Sequence, residues 1–396
     1  MDKRNIFVNY IKNGGEKFCS PQIGAGAGFD SKLAGKEWIS ETTLEDTLAA
    51  VKKFDIIPLV NIGCPYEICV PQIVWEEKLI EKQEDRIVKE YFLSTPSGML
   101  LRKTCEVKRS SPFNVKYPVT CEDDLDPFEY YINELMESDF TQVMNYTHDV
   151  VAKIDGSAAL SVQWPVQPYE LLCFPNTVDT VLLAADCPDR FKSLMDRIVK
   201  IDDKLMEAVS KGGADFIFLG APSTEMLSPA YYENYIIPYS KIVTSIAHSY
   251  GLLVYSHICS PIEPFLTMGF YNRMGIDLFE TLSPPPVGNV ASLEDALRKL
   301  DTGICTRGNL GLDVLLGSSR DEVKRKTYEI LEATEGRKHI VAASDYLFYE
   351  TPVENVHAMA EAVSSSFMFG NFGNKGVETI QSMVGIYRHR QGINNG

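Results

Sequence analysis

Short apolar runs recur along the chain, each followed by a turn and then by a segment whose apolar residues keep helical spacing. Eight runs stand out: residues 17–23, 56–62, 158–163, 215–219, 252–257, 276–280, 302–307 and 339–343. Their near-continuous apolar character suits strands buried on both faces of a parallel sheet. Helices are predicted between them. Residues 43–54 open with the cap-like Thr43-Leu44-Glu45-Asp46. Residues 188–212 carry Phe191, Leu194, Met195, Ile198, Ile201, Leu205 and Val209 on one face. Residues 228–250 begin Ser228-Pro229, with proline where a first turn tolerates it. Further helices are expected over 292–300, 319–333 and 352–369. Eight strands alternating with helices predict an α/β chain folded as a (β/α)8 TIM barrel.

One domain spanning residues 1–396 is expected, with residues 65–156 as an insertion after the second strand, either a lid over the barrel or a partner surface. Within it, residues 87–93 and 99–107 read as a β-hairpin turned at 94–98, and 124–136 as a helix. The rival fold, a doubly wound open sheet, would need a G-x-G-x-x-G turn after its first strand. Gly24-Ala25-Gly26-Ala27-Gly28 does not supply one.

Composition narrows the function. The 396 residues are 45% hydrophobic, with 38 Lys and Arg against 54 Asp and Glu, a formal charge of −16. That balance and the lack of a basic run argue against nucleic acid, which is gripped mainly by Lys and Arg. No apolar stretch is long enough for a membrane span or a secretion leader. Nine scattered cysteines without a C-x-x-C pair read as free thiols of a reducing compartment, so a cytoplasmic address is expected.

The candidate chemistry gathers at the carboxyl ends of the runs, where a barrel of this kind keeps its active site. His257-Ile258-Cys259 ends the fifth. Two residues apart in an extended segment, imidazole and thiol share a face, as zinc ligands would. A core histidine beside a small buried cysteine gives the same pattern, so the pair gains weight from its surroundings. Asp345, after the eighth run, is the natural third ligand, leaving a fourth position open for substrate. Glu225 or Glu280 would fill that position, contact substrate, or orient His257 from behind. Tyr66 and Trp164 come after the second and third runs as further candidate substrate contacts, as does Asn309 after the seventh. Arg307, Glu67 and His148 are candidate catalytic groups. Glu67, His148 and Tyr66 compete, unranked, for the role of general acid. His248 and His339 read as structural, and Tyr231, Tyr232, Tyr235 and Tyr239 as a helix face packed on the sheet.

With these residues placed, the chain resembles the uroporphyrinogen decarboxylase superfamily over residues ~150–370, limits as loose as element boundaries read from sequence. The resemblance rests on Gly213-Ala214-Asp215, Leu227-Ser228-Pro229, His257-x-Cys259, Gly275-Ile276-Asp277, Arg307-Gly308-Asn309 and Thr351-Pro352-x-Glu354-Asn355, in this order and spacing. It implies a (β/α)8 barrel. Uroporphyrinogen decarboxylases work without metal and carry an arginine-bearing Met-Arg-Gln-Ala-Gly-Arg type segment near the start. The matching residues here, Pro21-Gln22-Ile23-Gly24-Ala25-Gly26, contain no arginine, which makes the chain a poor host for a polyanion. The other branch comprises zinc-dependent methyltransferases served by a corrinoid protein, in which an H-x-C pair and a later cysteine hold Zn²⁺. That resemblance implies a zinc site at His257 and Cys259, with Asp345 at the place of the later cysteine. An oxygen there makes a harder, more Lewis-acidic zinc site. It also implies that the methylcobalamin or related corrinoid arrives on a partner protein, since no D-x-H-x-x-G signature occurs here. The expected activity moves a methyl group between a small O-, N- or S-methyl compound and cobalt. A metal-free decarboxylase or lyase acting on a small carboxylic substrate is the second reading. Pairing into a homodimer is expected of such barrels.

Overall fold

The computed structural model describes residues 2–165, 167–220 and 225–370, the last four by backbone alone. Its strands are β1 (Leu59–Gly63), β2 (Trp75–Lys82), β3 (Arg86–Thr95), β4 (Gly98–Val107), β5 (Phe113–Lys116), β6 (Ala159–Gln163), β7 (Phe216–Phe218), β8 (Leu253–His257), β9 (Leu278–Thr281), β10 (Cys305–Leu310) and β11 (His339–Ala343). Seven of them form one parallel sheet in the order β1-β6-β7-β8-β9-β10-β11, curled into a TIM-barrel-like fold. Seven of the eight predicted runs thus become its strands.

The eighth place is held differently from the expectation. The stretch around Cys19 makes a single parallel bridge to Val341 of β11. Ser20 N–H donates to Val341 O (2.8 Å), and Ile57 N–H, just before β1, donates to Cys19 O (3.1 Å). The seam between β11 and β1 is therefore spanned by an extended segment that never becomes a regular strand. Pro21 explains the early stop, because it has no N–H to continue the ladder.

Helix starts agree with the predicted caps. Thr43 and Asp46 form a reciprocal capping box before Leu44–Val51, and Ser228, Ser292 and Ser319 each cap the helix after them. The predicted helix 228–250 is broken into Pro229–Tyr231, a π-helical turn Tyr232–Ile236 and Ile237–Ser249. Pro238, without an N–H, disturbs the regular ladder at that point.

Inside the barrel, Leu59, Ala159, Phe216, Leu253, Leu278, Cys305 and Ile340 face one another in a layer near the amino ends of the strands. A helix that hydropathy did not reveal, Lys3–Asn13, closes this floor with Phe7, Tyr10 and Ile11. Phe7 packs its ring 5.6 Å from Phe18 and 5.7 Å from Phe216. Arg4 ties the helix down through Asp215 Oδ1 (2.9 Å) and Gly213 O (2.7 Å).

The insertion contains the predicted hairpin as β3 and β4, joined by a tight turn that pairs Thr95 with Gly98. Two further strands, β2 and β5, extend it to a four-stranded antiparallel sheet. Helix Leu125–Glu137 packs beneath with Leu125, Phe128, Tyr131, Ile132 and Leu135 buried. No helix among the described residues is long and apolar enough to cross a membrane.

Truncating Phe7→Ala should cost about 3–5 kcal/mol, as expected for removing a buried aromatic ring. Urea unfolding followed by far-UV circular dichroism would report the loss. An unchanged midpoint would show that the helix does not support the floor.

Candidate functional site

Parallel register sets the core of the site. His257 of β8 lies opposite Glu280 of β9, and Arg307 of β10 lies opposite the same glutamate. Three neighbouring strands therefore present imidazole, carboxylate and guanidinium at one level of the barrel. His257 Nδ1 lies 3.2 Å from Glu280 Oε2, while the other oxygen, Oε1, accepts from Arg307 Nη1. Arg307 Nε donates to Ser20 O in the seam segment (2.8 Å). Glu280 and Arg307 are fully buried, so each charge depends on the other. The Arg307 guanidinium also stands 6.0 Å over the Phe7 ring, linking this array to the floor.

With Nδ1 directed at a carboxylate, which can only accept, the imidazole turns Nε2 toward the barrel mouth. There Nε2 is 3.1 Å from Asp345 Oδ1. The donor atoms of His257, Cys259 and Asp345 all lie within 4.8 Å of one another. Cys259 is exposed and marks the open side. One nitrogen, one sulfur and one oxygen at such separations match the ligand types and crowding of a three-residue zinc site with an open position. Asp345 is fixed in turn by Tyr346 N–H, which donates to Oδ1 (2.7 Å). Burial alone would lower the pKa of His257, but Asp345, Cys259 and Glu280 overcome it and raise the value well above the ordinary histidine range. Burial works against both carboxylates as well. Arg307 and His257 nevertheless hold Glu280 below the usual carboxylate range, and His257 does the same for Asp345.

A second polar chain runs beside this cluster. Gln163 Nε2 donates to Tyr255 OH (2.6 Å), which donates to Asn61 Oδ1 (3.0 Å), while Asn61 Nδ2 donates to Tyr346 OH (3.0 Å). The Tyr346 ring lies 5.0 Å from the His257 ring. None of these four residues was singled out from sequence. The available signal was strand alternation: Asn61 and Gln163 take the inward positions of β1 and β6, and Tyr255 lies two before His257.

The same alternation corrects Trp164. One residue past Gln163, its ring turns outward, and its Nε1–H donates to Asp202 of helix Pro188–Lys211 (3.1 Å). His148 lies on the solvent face of helix Thr141–Ile154, next to Asp149, because that helix buries Val143, Thr147, Val150 and Ile154 instead. Glu67 is exposed and Tyr66 half-buried in a turn after β1, within electrostatic reach of Tyr131 rather than of His257. Glu280 and Arg307 brace His257 from behind. Asn309 donates through Nδ2 to Leu282 O (3.1 Å) and is buried. Glu225 is exposed; residues 221–224 before it lie outside the described residues. His339 is structural: buried between Thr306 Oγ1 (2.8 Å) and Gly308 O (2.9 Å), it has its pKa pushed down to about 3 by burial.

Known proteins agree with this architecture. Residues 173–366 match the sequence model of the family Uroporphyrinogen decarboxylase (URO-D). A uroporphyrinogen decarboxylase of Syntrophotalea carbinolica is 26% identical over 184 residues, 46% of this chain and 50% of that protein. One from Novosphingobium aromaticivorans is 26% identical over 190 residues, 47% of this chain and 52% of that protein. The chain thus spans about half the length of the curated relatives it matches. A solved methyltransferase from Methanosarcina mazei superposes with a TM-score of 0.64 at 15% identity, covering 93% of this chain and 99% of that one. That likeness shows a shared fold. The resemblance to the uroporphyrinogen decarboxylase superfamily read from the sequence is borne out.

The buried carboxyl that Trp164 contacts has a testable consequence for stability. Burial pushes the Asp202 pKa from 3.8 up to about 8. Between these values the unfolded chain has lost the proton that the folded chain keeps, so stability should fall as pH rises through that window. Asp202→Asn keeps the acceptor for Trp164 and does not titrate. Chemical denaturation should therefore show the variant gaining stability over the parent as pH rises, most of all at pH 8. A constant difference across that range would show that Asp202 does not titrate as a buried group in the folded protein.

Proposed function

We propose that this chain, whose residues 173–366 match the URO-D family, is a zinc-dependent methyltransferase. On this reading it moves a methyl group between a small O-, N- or S-methyl compound and the cobalt of a separate corrinoid protein. The observation that carries it is the convergence of His257, Cys259 and Asp345 at the barrel mouth, backed by Glu280 and Arg307. A bound Zn²⁺ would act as a Lewis acid on the heteroatom that gives up or accepts the methyl group. The residues of the chain do the rest. Glu280 fixes the ring of His257 and keeps Nε2 aimed outward, and Arg307 keeps Glu280 ionised in a buried setting. Tyr346 flanks the imidazole and limits its rotation. Cys259 is exposed, so the open side of the cluster is reachable from solvent.

The decarboxylase reading finds less support. A carboxylic substrate would need a guanidinium at the mouth, yet Arg307 is fully buried behind His257, with Nε and Nη1 serving Ser20 and Glu280. The Pro21–Gly26 stretch offers no other arginine.

Elemental analysis of protein purified without chelators should find about one zinc per chain, and none in the double variant His257→Ala, Cys259→Ala. Glu280→Gln should weaken zinc binding about 10–100-fold, the usual effect of disturbing the group behind a histidine ligand. Methyl transfer to cob(I)alamin should track zinc content. A protein that takes up no zinc even on reconstitution would refute the mechanism.

A further inference from the structure

A cleft of ≈ 480 Å³ opens at the carboxyl ends of β1 and β6. Among its walls are Asn61, Gln163, Tyr146, Gly26, Thr47 and Asp30. Asn61 belongs equally to the polar chain that reaches Tyr346, so a hydrogen bond and a ring contact link the cleft to His257. Its described lining includes no Lys, Arg or His, and Asp30 is the only charged residue in it.

Asp30 is unusual for a buried carboxylate. It is 2% exposed, and it accepts from Thr47 Oγ1 (2.6 Å) and from the N–H of Ser31 (3.1 Å). Two neutral donors satisfy part of its hydrogen-bonding capacity, and no ion pair to it occurs among the described residues. A buried carboxylate without a cation is costly and is ordinarily paired. The backbone beside it is also kept thin. Gly24 has φ +100°, and a Cβ there would come within 3.0 Å of Thr47 Cγ2 and 3.6 Å of Asp30 Oδ2. A phosphate or carboxylate ligand would meet repulsion from Asp30 in this cleft. A cation would meet a buried carboxylate and the ring of Tyr146. The acidic surface of the whole chain, at −16, favours the same sign of ligand.

We propose that this cleft binds a small organic cation, an N-methylated amine or quaternary ammonium group, with Asp30 as its counter-charge and Tyr146 as a face of its cage. That this cation is the methyl compound of the reaction rests on the methyl-transfer reading above; the cation preference of the cleft does not.

Isothermal titration of the full chain with tetramethylammonium, choline and 3,3-dimethyl-1-butanol, the neutral analogue of choline, tests it. Choline or tetramethylammonium should bind at least ~10-fold more tightly than the neutral analogue, and Asp30→Asn should erase that preference. Tyr146→Ala, at a position exposed enough to leave folding intact, should weaken the cations several-fold, whereas Tyr146→Phe should not. Equal binding of the neutral analogue, no cation binding at tens of millimolar, or unchanged affinity in both Asp30→Asn and Tyr146→Ala would overturn the proposal. The His257→Ala, Cys259→Ala variant should still bind choline. A parent protein that binds choline but no zinc would sink the metal mechanism and leave the cation site standing.

Discussion

A buried row of charge organises this barrel. His257, Glu280 and Arg307 stand side by side on β8, β9 and β10 because parallel register places them there. No member is tolerable alone inside a protein, since an unpaired buried charge costs several kcal/mol. Each strand therefore constrains its neighbour's register, because a slip of one residue would turn one partner out of the barrel and strand the others. The row has two ends, and each does something. At one, Arg307 reaches the seam segment through Ser20 and the floor through Phe7. At the other, His257 presents Nε2 to Asp345 and Cys259. The geometry of the mouth is thus braced through the interior rather than by the loops that carry Cys259 and Asp345.

This arrangement explains which features were legible in the sequence. Strands buried on both faces read as apolar runs, and seven of them fall where hydropathy placed them. The metal-ligand candidates were visible because they end those runs, where polar residues interrupt an apolar pattern. Asn61 and Tyr255 were harder to see because they sit inside the runs, on inward positions that a barrel fills with polar groups near its mouth, and Gln163, which ends its run, was read only as a boundary. Trp164 was misplaced by the same oversight: position just past a strand end does not reveal which side of the sheet a residue faces. His148 was misplaced because helix Thr141–Ile154 was not recognised, and with it the face on which Thr147 is buried and His148 exposed.

The amino-terminal helix escaped for a different reason. Lys3, Arg4, Asn5, Asn9 and Lys12 dilute its pattern, and only Phe7, Tyr10 and Ile11 are buried. A helix that plugs the end of a barrel needs only a narrow apolar stripe. Its partners lie on strands spread over the whole chain, and no local window of sequence reveals them.

That plug also sets an order of events during synthesis. Tyr10 OH donates to the carbonyl of His339, 329 residues later, and its helix seals a floor to which β11 contributes Ile340. A ribosome makes this stopper well before β11, one of the staves it seals against. Helix Lys3–Asn13 therefore waits with part of its aromatic stripe uncovered until β11 has emerged, and the barrel can be corked only after β11 has joined it.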